Sequence, residues 1–138
     1  MADDAAAVLQ RYLQAQREKD LEALVSCWHE DVEAVHPLRP DRSWRGRDTY
    51  RRQWERMWSV APDARFEVVS TAVSGNTIYL EALTETADGT MVPHMNVLEV
   101  EGGRIRRARV YTDKPTHDGL SMDDFTTTIN STSSRSST

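Results

Sequence analysis

The second half of the chain alternates strand-like segments with tight turns. Apolar and β-branched residues are concentrated in four segments, residues 66–73, 77–86, 91–100 and 105–112. Turn signals that contain glycine separate them at Ser74-Gly75-Asn76, Asp88-Gly89 and Gly102-Gly103. Connections this short join only antiparallel neighbours, because a parallel connection needs roughly a dozen residues or more. The pattern therefore predicts an antiparallel sheet built from these four segments.

In the first half of the chain, apolar residues recur at the spacing of amphipathic helices. The first predicted helix lies within residues 5–19. The second begins behind an Asp20 N-cap, carries residues 21, 24, 25 and 28 on one face, and is followed by Asp31, which ends it or starts the next element. A third helix is predicted to begin at an Asp48 N-cap and to end before Pro62. Three helices thus precede the sheet.

A short strand is predicted between the second and third helices. Residues 32–36 alternate in polarity, and Pro37 stops the strand while it keeps His36 extended. Residues 38–47 contain proline and glycine without a regular period and are predicted to be a loop. Helices first and strands last indicate an α+β fold in which three N-terminal helices pack on a curved antiparallel sheet and enclose a pocket.

The length of 138 residues fits one domain of ordinary size. That domain is expected to occupy residues 1–115. Residues 116–138 are expected to form a disordered tail, because ten of the last thirteen residues are Ser or Thr and bury too little apolar surface. The single cysteine, Cys27, forms neither an intramolecular disulfide nor a zinc knuckle. The fold must therefore rest on its hydrophobic core.

The charge and the apolar content of the chain limit the classes of partner that it is expected to bind. A net charge of −5 argues against nonspecific nucleic-acid binding, which depends on a basic face. No apolar run approaches the roughly 18 residues that a membrane span needs. The N-terminal segment MADDAAAVLQ is acidic where a secretion signal would be basic. A cytoplasmic protein that binds neither nucleic acid nor membrane is expected.

Three short motifs and the element order carry a resemblance to a known family. The motifs are Asp31-Val32 leading into His36-Pro37, PDARFEVV at 62–69, and VLEVEGGRI at 97–105 followed by RVYTD at 109–113. With them, residues 5–115 resemble the nuclear transport factor 2-like superfamily, and within it the SnoaL-like polyketide cyclases and the ketosteroid isomerases. The resemblance implies a cone-shaped fold around a pocket, chemistry without a cofactor, and a homodimer formed through the sheet.

The ketosteroid isomerases suggest roles for three residues. By resemblance, Tyr12 matches a tyrosine that donates a hydrogen bond to the developing enolate, and His36 matches the base that moves the proton. Asn96 falls where these isomerases keep a protonated carboxylic acid as a second donor. Two of the three positions thus carry a different residue, so steroid isomerisation itself is not expected.

The SnoaL-like cyclases suggest a different base. Their resemblance implies aldol cyclisation with an acidic residue near the end of the sheet, where Asp113 is the nearest candidate. Strand parity places Asp113 on the outward side unless the strand ends or bulges before it. The choice between His36 and Asp113 stays open at this point.

The matched residues also form a chemically coherent set. Proton removal next to a carbonyl needs a base and hydrogen-bond donors aimed at the oxygen. His36 has an ordinary pKa of about 6.5, Tyr12 supplies a phenol, and Asn96 supplies a neutral amide donor. Parity puts His94 on the same strand face as Asn96. These side chains are therefore the predicted polar part of the pocket.

Aromatic residues form a second candidate set. They pack in the core or line the pocket as a wall for a flat aromatic or polycyclic substrate. The residues proposed for this wall are Trp28, Trp44, Tyr50, Trp54 and Trp58.

Other charged residues have open roles. Seven arginines between Arg39 and Arg56 form a solvated face, or hold a carboxylate or phosphate at the pocket mouth through Arg39, Arg42 or Arg45. Whether the face of Tyr79–Glu85 that carries Glu81 points inward is also open. A zinc helix motif needs a second histidine where Glu33 stands, so no metal is expected.

Three functions remain in competition. The leading hypothesis is a cofactor-independent cyclase or isomerase that uses acid–base chemistry on a hydrophobic carbonyl or polyketide-like compound in secondary metabolism. The alternative is a module on the same fold that binds or associates without chemistry. An epoxide hydrolase is disfavoured, because the segment ALTETADG at 82–89 lacks the arginine that such a site would need.

Overall fold

The computed structural model describes residues 2–112, 116–117 and 120–121. Its helices are α1 (Ala2–Glu18), α2 (Leu21–Ser26) and α3 (Arg47–Val60), and a 3₁₀ turn covers Pro40–Arg42. Its strands are β1 (Trp28–Val35), β2 (Trp44–Arg45), β3 (Phe66–Ser74), β4 (Thr77–Glu85), β5 (Met91–Glu101), β6 (Arg104–Tyr111), β7 (Thr116–His117) and β8 (Leu120–Ser121). The predicted order of helices and long strands is confirmed.

Six strands form the main sheet in the order β2-β1-β6-β5-β4-β3. The four segments of the second half pair as antiparallel neighbours, as the short turns predicted. The β5–β6 turn uses Gly102 and Gly103 at φ 62° and 78°, a left-handed conformation that glycine adopts without a steric penalty. Strand β1 pairs with β6 in parallel, which the sequence analysis did not predict.

The second helix is shorter than predicted. Asp20 caps it as expected, since its Oδ1 accepts the Ala23 N–H at 3.1 Å. The helix ends at Ser26, however, and Trp28 belongs to β1. The Ile105 N–H donates to the Cys27 carbonyl at 2.7 Å, and Trp28 pairs with Ile105 across the parallel join. Pairing with a distant strand therefore overrides the local helical period.

The segment before the third helix also differs from its prediction. Residues 38–47 are not all loop, because β2 pairs with β1 and aligns Trp44 with Ala34. Asp48 is not the N-cap of α3; that position is Gly46 at φ 95°, without a side-chain hydrogen bond. Asp48 lies in the first turn, where a negative charge interacts favourably with the helix dipole.

The hydrophobic core lies between the helices and one face of the sheet. Val8 of α1, Leu24 of α2, Ile78 and Leu80 of β4, and Ile105 of β6 are completely buried. Three helices on one face of a curved sheet match the predicted α+β fold. Cys27 is a buried free thiol in this core.

The opposite face of the sheet carries the side chains whose direction the sequence left open. Leu80 and Thr84 point inward on β4, so Tyr79, Glu81 and Glu85 lie on the outer face. Glu81 accepts a hydrogen bond from Ser70 at 3.0 Å, and Glu85 forms an ion pair with Arg65. Neither glutamate is an acid of the pocket.

The C-terminal region is described only in part. β7 and β8 pair as a two-stranded antiparallel hairpin within the segment that was predicted to be a disordered tail. Residues 118–119 and 122–138 lie outside the described residues, so disorder there stays a prediction. Among the described residues, no helix combines the length and apolar character that crossing a bilayer would require.

Candidate functional site

A cavity of about 70 Å³ lies between the helices and the inner face of the sheet. Its volume is about half that of the roughly 150 Å³ cavity that binds benzene in an engineered protein. The enclosed space therefore accommodates at most one small ring. The polycyclic substrate considered from the sequence would not fit wholly inside this volume.

Aromatic side chains from the helices, β1 and β2 form one wall of the cavity. Trp28 and Tyr50 are in close contact, with ring centroids 4.1 Å apart, and Trp44 stacks on Tyr50 at 5.8 Å. Tyr12 and Trp54 complete this wall. Four of the five residues proposed for an aromatic wall, together with Tyr12, thus line a single cavity.

Trp58 does not lie on this wall. It packs against Trp54 with ring centroids 5.4 Å apart and is absent from the cavity lining, so its proposed substrate contact is not supported. The sequence analysis overlooked Phe66, whose ring lies 6.2 Å from Tyr12 and 5.9 Å from His94. Phe66 is the first residue of β3. A single aromatic residue at the start of a strand gives no signal that its ring lies between Tyr12 and His94.

The phenols of the wall are neutral donors. Burial raises the pKa of Tyr12 to about 12, although Tyr50 and Gln16 act in the opposite direction. Burial, followed by the neighbouring Tyr12 phenol, raises the pKa of Tyr50 well above its usual value. Both hydroxyls therefore keep their protons at neutral pH and can donate hydrogen bonds to an acceptor in the cavity.

Several polar atoms of this wall are buried without a partner of ordinary hydrogen-bond geometry. Among the described residues, the Gln53 amide nitrogen has no partner, and the Tyr50 hydroxyl interacts with the Tyr12 phenol and the Trp28 indole nitrogen only outside that geometry. An unpaired buried polar group costs about 1–3 kcal/mol. A ligand that carries an acceptor would remove part of that cost.

His36 lies at the end of β1 and faces the same cavity. Its backbone N–H donates to the Ser43 Oγ at 3.0 Å, and its carbonyl accepts the Arg39 N–H at 2.9 Å, so the backbone is fixed. Burial, and then the positive charge of Arg42, lower the pKa of His36 to about 4, although Asp41 acts in the opposite direction. The imidazole is neutral at pH 7, and its Nδ1 has no partner among the described residues.

A second polar group lies on the neighbouring strands β4 and β5. His94 Nε2 is 2.7 Å from the Thr84 hydroxyl, and His94 Nδ1 is 2.8 Å from the Asn96 Nδ2. Asn96 Nδ2 also donates to the Leu80 carbonyl at 3.4 Å. Burial lowers the pKa of His94 to about 4. The predicted inward parity of His94 and Asn96 is confirmed.

The expected free amide donor of Asn96 is not present. Its amide nitrogen faces two protein acceptors, His94 Nδ1 and the Leu80 carbonyl, so the amide hydrogens are engaged inside the protein. The sequence could not show this, because the Leu80 carbonyl reaches Asn96 only through the pairing of β4 with β5. Thr84, which the sequence analysis missed, has the inward parity of Leu80 and lines the cavity.

The last long strand follows its predicted parity. Ala108, Val110 and Thr112 line the cavity, and the Thr112 hydroxyl donates to the Pro93 carbonyl at 3.0 Å. Asp113, the alternative base, lies outside the described residues. Its candidacy stays a prediction.

The arginine band does not reach the cavity. Among the described residues that line it there is no arginine. Arg45 pairs with Glu33, Arg51 pairs with Glu22, and Arg47 donates to the Trp28 carbonyl. These contacts favour the interpretation of residues 39–56 as a solvated, ion-paired face.

The arrangement suits proton transfer in an apolar environment. The cavity combines a neutral imidazole, phenol hydroxyls and a threonine hydroxyl with aromatic and aliphatic walls. Nowhere in the described parts of the chain do three His, Cys, Asp or Glu side chains come together in a way that could hold a metal ion. Donors of this kind can hydrogen-bond to an acceptor such as a carbonyl oxygen.

Residues 9–108 match the sequence model of the SnoaL-like domain family. No curated protein matches the chain significantly. An NTF2-like protein of unknown function from Mesorhizobium loti is similar at 24% identity and a TM-score of 0.68, over 81% of this chain and 93% of that chain. A SnoaL-like protein of unknown function from Burkholderia thailandensis E264 is 19% identical with a TM-score of 0.65, over 80% and 94% of the two chains.

A third similar structure has a ketosteroid isomerase-like fold. This hypothetical protein from Catenulispora acidiphila DSM 44928 is 16% identical, with a TM-score of 0.63 over 84% of this chain and 95% of that chain. Likeness at this level of identity shows the fold alone. The chemistry of this chain depends on the residues that line its own cavity.

Proposed function

Because the chain belongs to the SnoaL-like domain family, we propose that it is a cytoplasmic, cofactor-independent enzyme that moves a proton next to the carbonyl group of a small apolar compound. The observation that carries this proposal is the buried, neutral imidazole of His36 on the same cavity as the Tyr12 phenol. A base and a donor that share one small cavity are the minimum that enolisation requires.

His36 acts as the base in this proposal. Its free Nδ1 can accept a proton from the carbon next to the carbonyl. A positioned general base contributes about 10²- to 10⁴-fold in rate. Burial keeps the pKa of His36 low, whereas a developing enolate beside the ring would stabilise the imidazolium by direct charge attraction.

The phenols act as donors to the carbonyl oxygen. One well-aimed donor lowers the barrier by roughly 3–4 kcal/mol when charge develops on that oxygen. Tyr12 and Tyr50 are both buried and uncharged, so a ligand that binds beside them does not have to displace a hydrated ion from the cavity. The small cavity favours a ligand with one ring or a short branched chain, either free or as the reactive end of a larger molecule.

A second candidate function is ligand binding without chemistry. It is favoured by the two amide hydrogens of Asn96, which are held by Leu80 and His94 instead of facing the cavity. A protein of this kind would bind the same small apolar compounds and leave their C–H bonds untouched. Measurement of proton exchange separates the two functions.

Cyclopentanone is a suitable probe, since its single ring carries one carbonyl and four exchangeable α-hydrogens. We expect the protein to accelerate replacement of these hydrogens by deuterium in D₂O at pH 7, measured by proton NMR. A His29→Ala variant is the matched control, because His29 lies on β1 outside the cavity lining. Binding without accelerated exchange would favour the binding module, and absence of both would contradict the proposal.

We also propose that two copies associate through the outer face of the sheet. Tyr79 is 37% exposed and lies in register with Val97 of β5 and Ala72 of β3. Leu83 of β4 has the parity of Tyr79, and Met95 of β5 pairs with the outward Glu81, so both add apolar surface to this face. The family resemblance, which implies a homodimer formed through the sheet, agrees with this choice of face.

Substitution of Tyr79 by glutamate is expected to convert the dimer into a monomer, because the new charge would be buried without a partner. Sedimentation velocity would measure the change at equal protein concentration. Val60→Glu serves as the control, because Val60 is exposed at the end of α3, away from the outer face of the sheet. A wild-type protein that sediments as a monomer would rule out this interface.

A further inference from the structure

We infer that Thr84 is a specificity-determining donor of the cavity, and that its hydroxyl hydrogen is aimed at a ligand carbonyl oxygen by a chain of hydrogen bonds that starts at the Leu80 carbonyl. The chain runs through Asn96 and His94 to Thr84. The inference rests on the proposed function only in taking the ligand to be a carbonyl compound.

The orientation of the Asn96 amide is set by the backbone. Leu80 and Asn96 are directly opposite each other on β4 and β5, and the amide atom nearest the Leu80 carbonyl is 3.4 Å from it. A carbonyl oxygen only accepts hydrogen bonds, so this atom must be the amide nitrogen. The flipped amide would place two oxygens against each other.

The amide orientation then determines the tautomer of His94. The same Asn96 nitrogen lies 2.8 Å from His94 Nδ1 and can only donate to it. Nδ1 must therefore carry a lone pair. A neutral imidazole has one hydrogen, which is placed on Nε2. The low pKa that burial gives to His94 agrees with a neutral ring.

The tautomer determines the direction of the Thr84 hydroxyl. His94 Nε2–H donates to the Thr84 Oγ1 at 2.7 Å, so the hydrogen of Thr84 cannot point at the ring. Thr84 lines the cavity, and none of the described residues accepts the hydrogen of its hydroxyl. That hydrogen is therefore available to a ligand in the cavity. With the opposite tautomer, Thr84 would donate to His94 and present only lone pairs to the cavity.

These linked hydrogen bonds give the cavity a preference between ligands of the same shape. A ring with a carbonyl oxygen accepts the Thr84 hydrogen, whereas the corresponding ring with a methylene group leaves that hydrogen unpaired. One neutral hydrogen bond is worth about 0.5–1.5 kcal/mol, which corresponds to roughly two- to tenfold in affinity. The preference does not require His36 to act as a base.

The tautomer is the first test, and it needs no ligand. Long-range proton–nitrogen NMR correlations of the full chain should show His94 with its hydrogen on Nε2. The His94 signals are identified by their loss in a His94→Gln variant. Asn96→Leu should remove the bias and give a mixture of both tautomers. A wild-type ring protonated on Nδ1 would overturn the inference.

The second test compares cyclopentanone with methylenecyclopentane, which replaces the carbonyl oxygen by a methylene group. Binding is measured by the fluorescence of the wall tryptophans Trp28, Trp44 and Trp54. The wild type should bind the ketone roughly two- to tenfold more tightly. Thr84→Val should abolish this preference through weaker ketone binding alone, and Thr84→Ser should retain it.

The two tests separate this inference from the proposed enzyme. If proton exchange is not accelerated but Thr84→Val still removes the ketone preference, the catalytic proposal fails and the role of Thr84 stands. Equal affinity of the wild type for both probes, no measurable ketone binding, or an unchanged preference in Thr84→Val would overturn the role of Thr84. Thermal unfolding of each variant confirms that the fold is retained.

Discussion

Replacement of His36 by alanine is expected to lower the rate of α-proton exchange in cyclopentanone at least tenfold. The variant removes the base that we propose, and a general base contributes about 10²- to 10⁴-fold. Exchange is followed by proton NMR at saturating protein, so that a change in affinity does not enter the rate. His29→Ala should leave the rate unchanged, because His29 is outside the cavity lining.

The pH profile gives this prediction a second readout. Because the pKa of His36 is lowered to about 4, the exchange rate should stay level between pH 8 and 6 and fall only in more acidic solution, near the pKa that the ligand-bound imidazole has. Full exchange activity in His36→Ala would remove His36 as the base and direct attention to Asp113. A tenfold loss in His29→Ala would indicate a general effect on the fold.

Acidification from pH 7 to pH 5 is expected to reduce the free energy of unfolding by about 2 kcal/mol for each of the two buried histidines. The pKa values of His36 and His94 are about 4 in the folded protein, below the ordinary value of 6.5. The unfolded chain therefore takes up protons between these values while the folded chain does not. The contribution of the two neutral histidines to the free energy of unfolding is fully present above pH 7 and declines as the pH falls from 6.5 to 4.

Urea unfolding monitored by tryptophan fluorescence at pH 7, 6 and 5 would measure this effect. Each of His36→Gln and His94→Gln should remove about half of the pH dependence in this range. His29→Gln is the control, because His29 is only partly buried. Three carboxyl groups also have lowered pKa values, those of Glu22, Glu85 and Asp88. Their protonation destabilises the fold in more acidic solution, so it does not obscure the effect of the histidines above pH 5. A stability that stays constant from pH 7 to pH 5 would contradict the burial of both histidines as neutral rings.

The sequence predicted what depends on local pattern. Alternation along β5 placed His94 and Asn96 inward, and the glycine turns predicted the antiparallel order of four strands. Side-chain direction in a strand follows from a period of two residues, which a sequence displays directly. The inward direction of Asn96 could therefore be predicted from the residues on either side of it.

The sequence could not predict contacts made between distant segments. Trp28 fits a helical period, and only the parallel pairing with Ile105 makes it a strand residue. Asn96 was expected to offer free hydrogens, but the backbone of Leu80 and the ring of His94 hold them. Thr84 gave no signal, because the inner face of β4 was undetermined. In each case the deciding partner is remote in the chain.

The parallel pairing of β1 with β6 has a consequence for the order of folding. A loop that closes across most of the domain is entropically costly and slow to form, so contacts of this kind follow the local hairpins. β3 to β6 can pair as soon as each turn closes, whereas β1 must wait for β6. During synthesis, Trp28 and His36 therefore stay outside a finished cavity until the last long strand has left the ribosome.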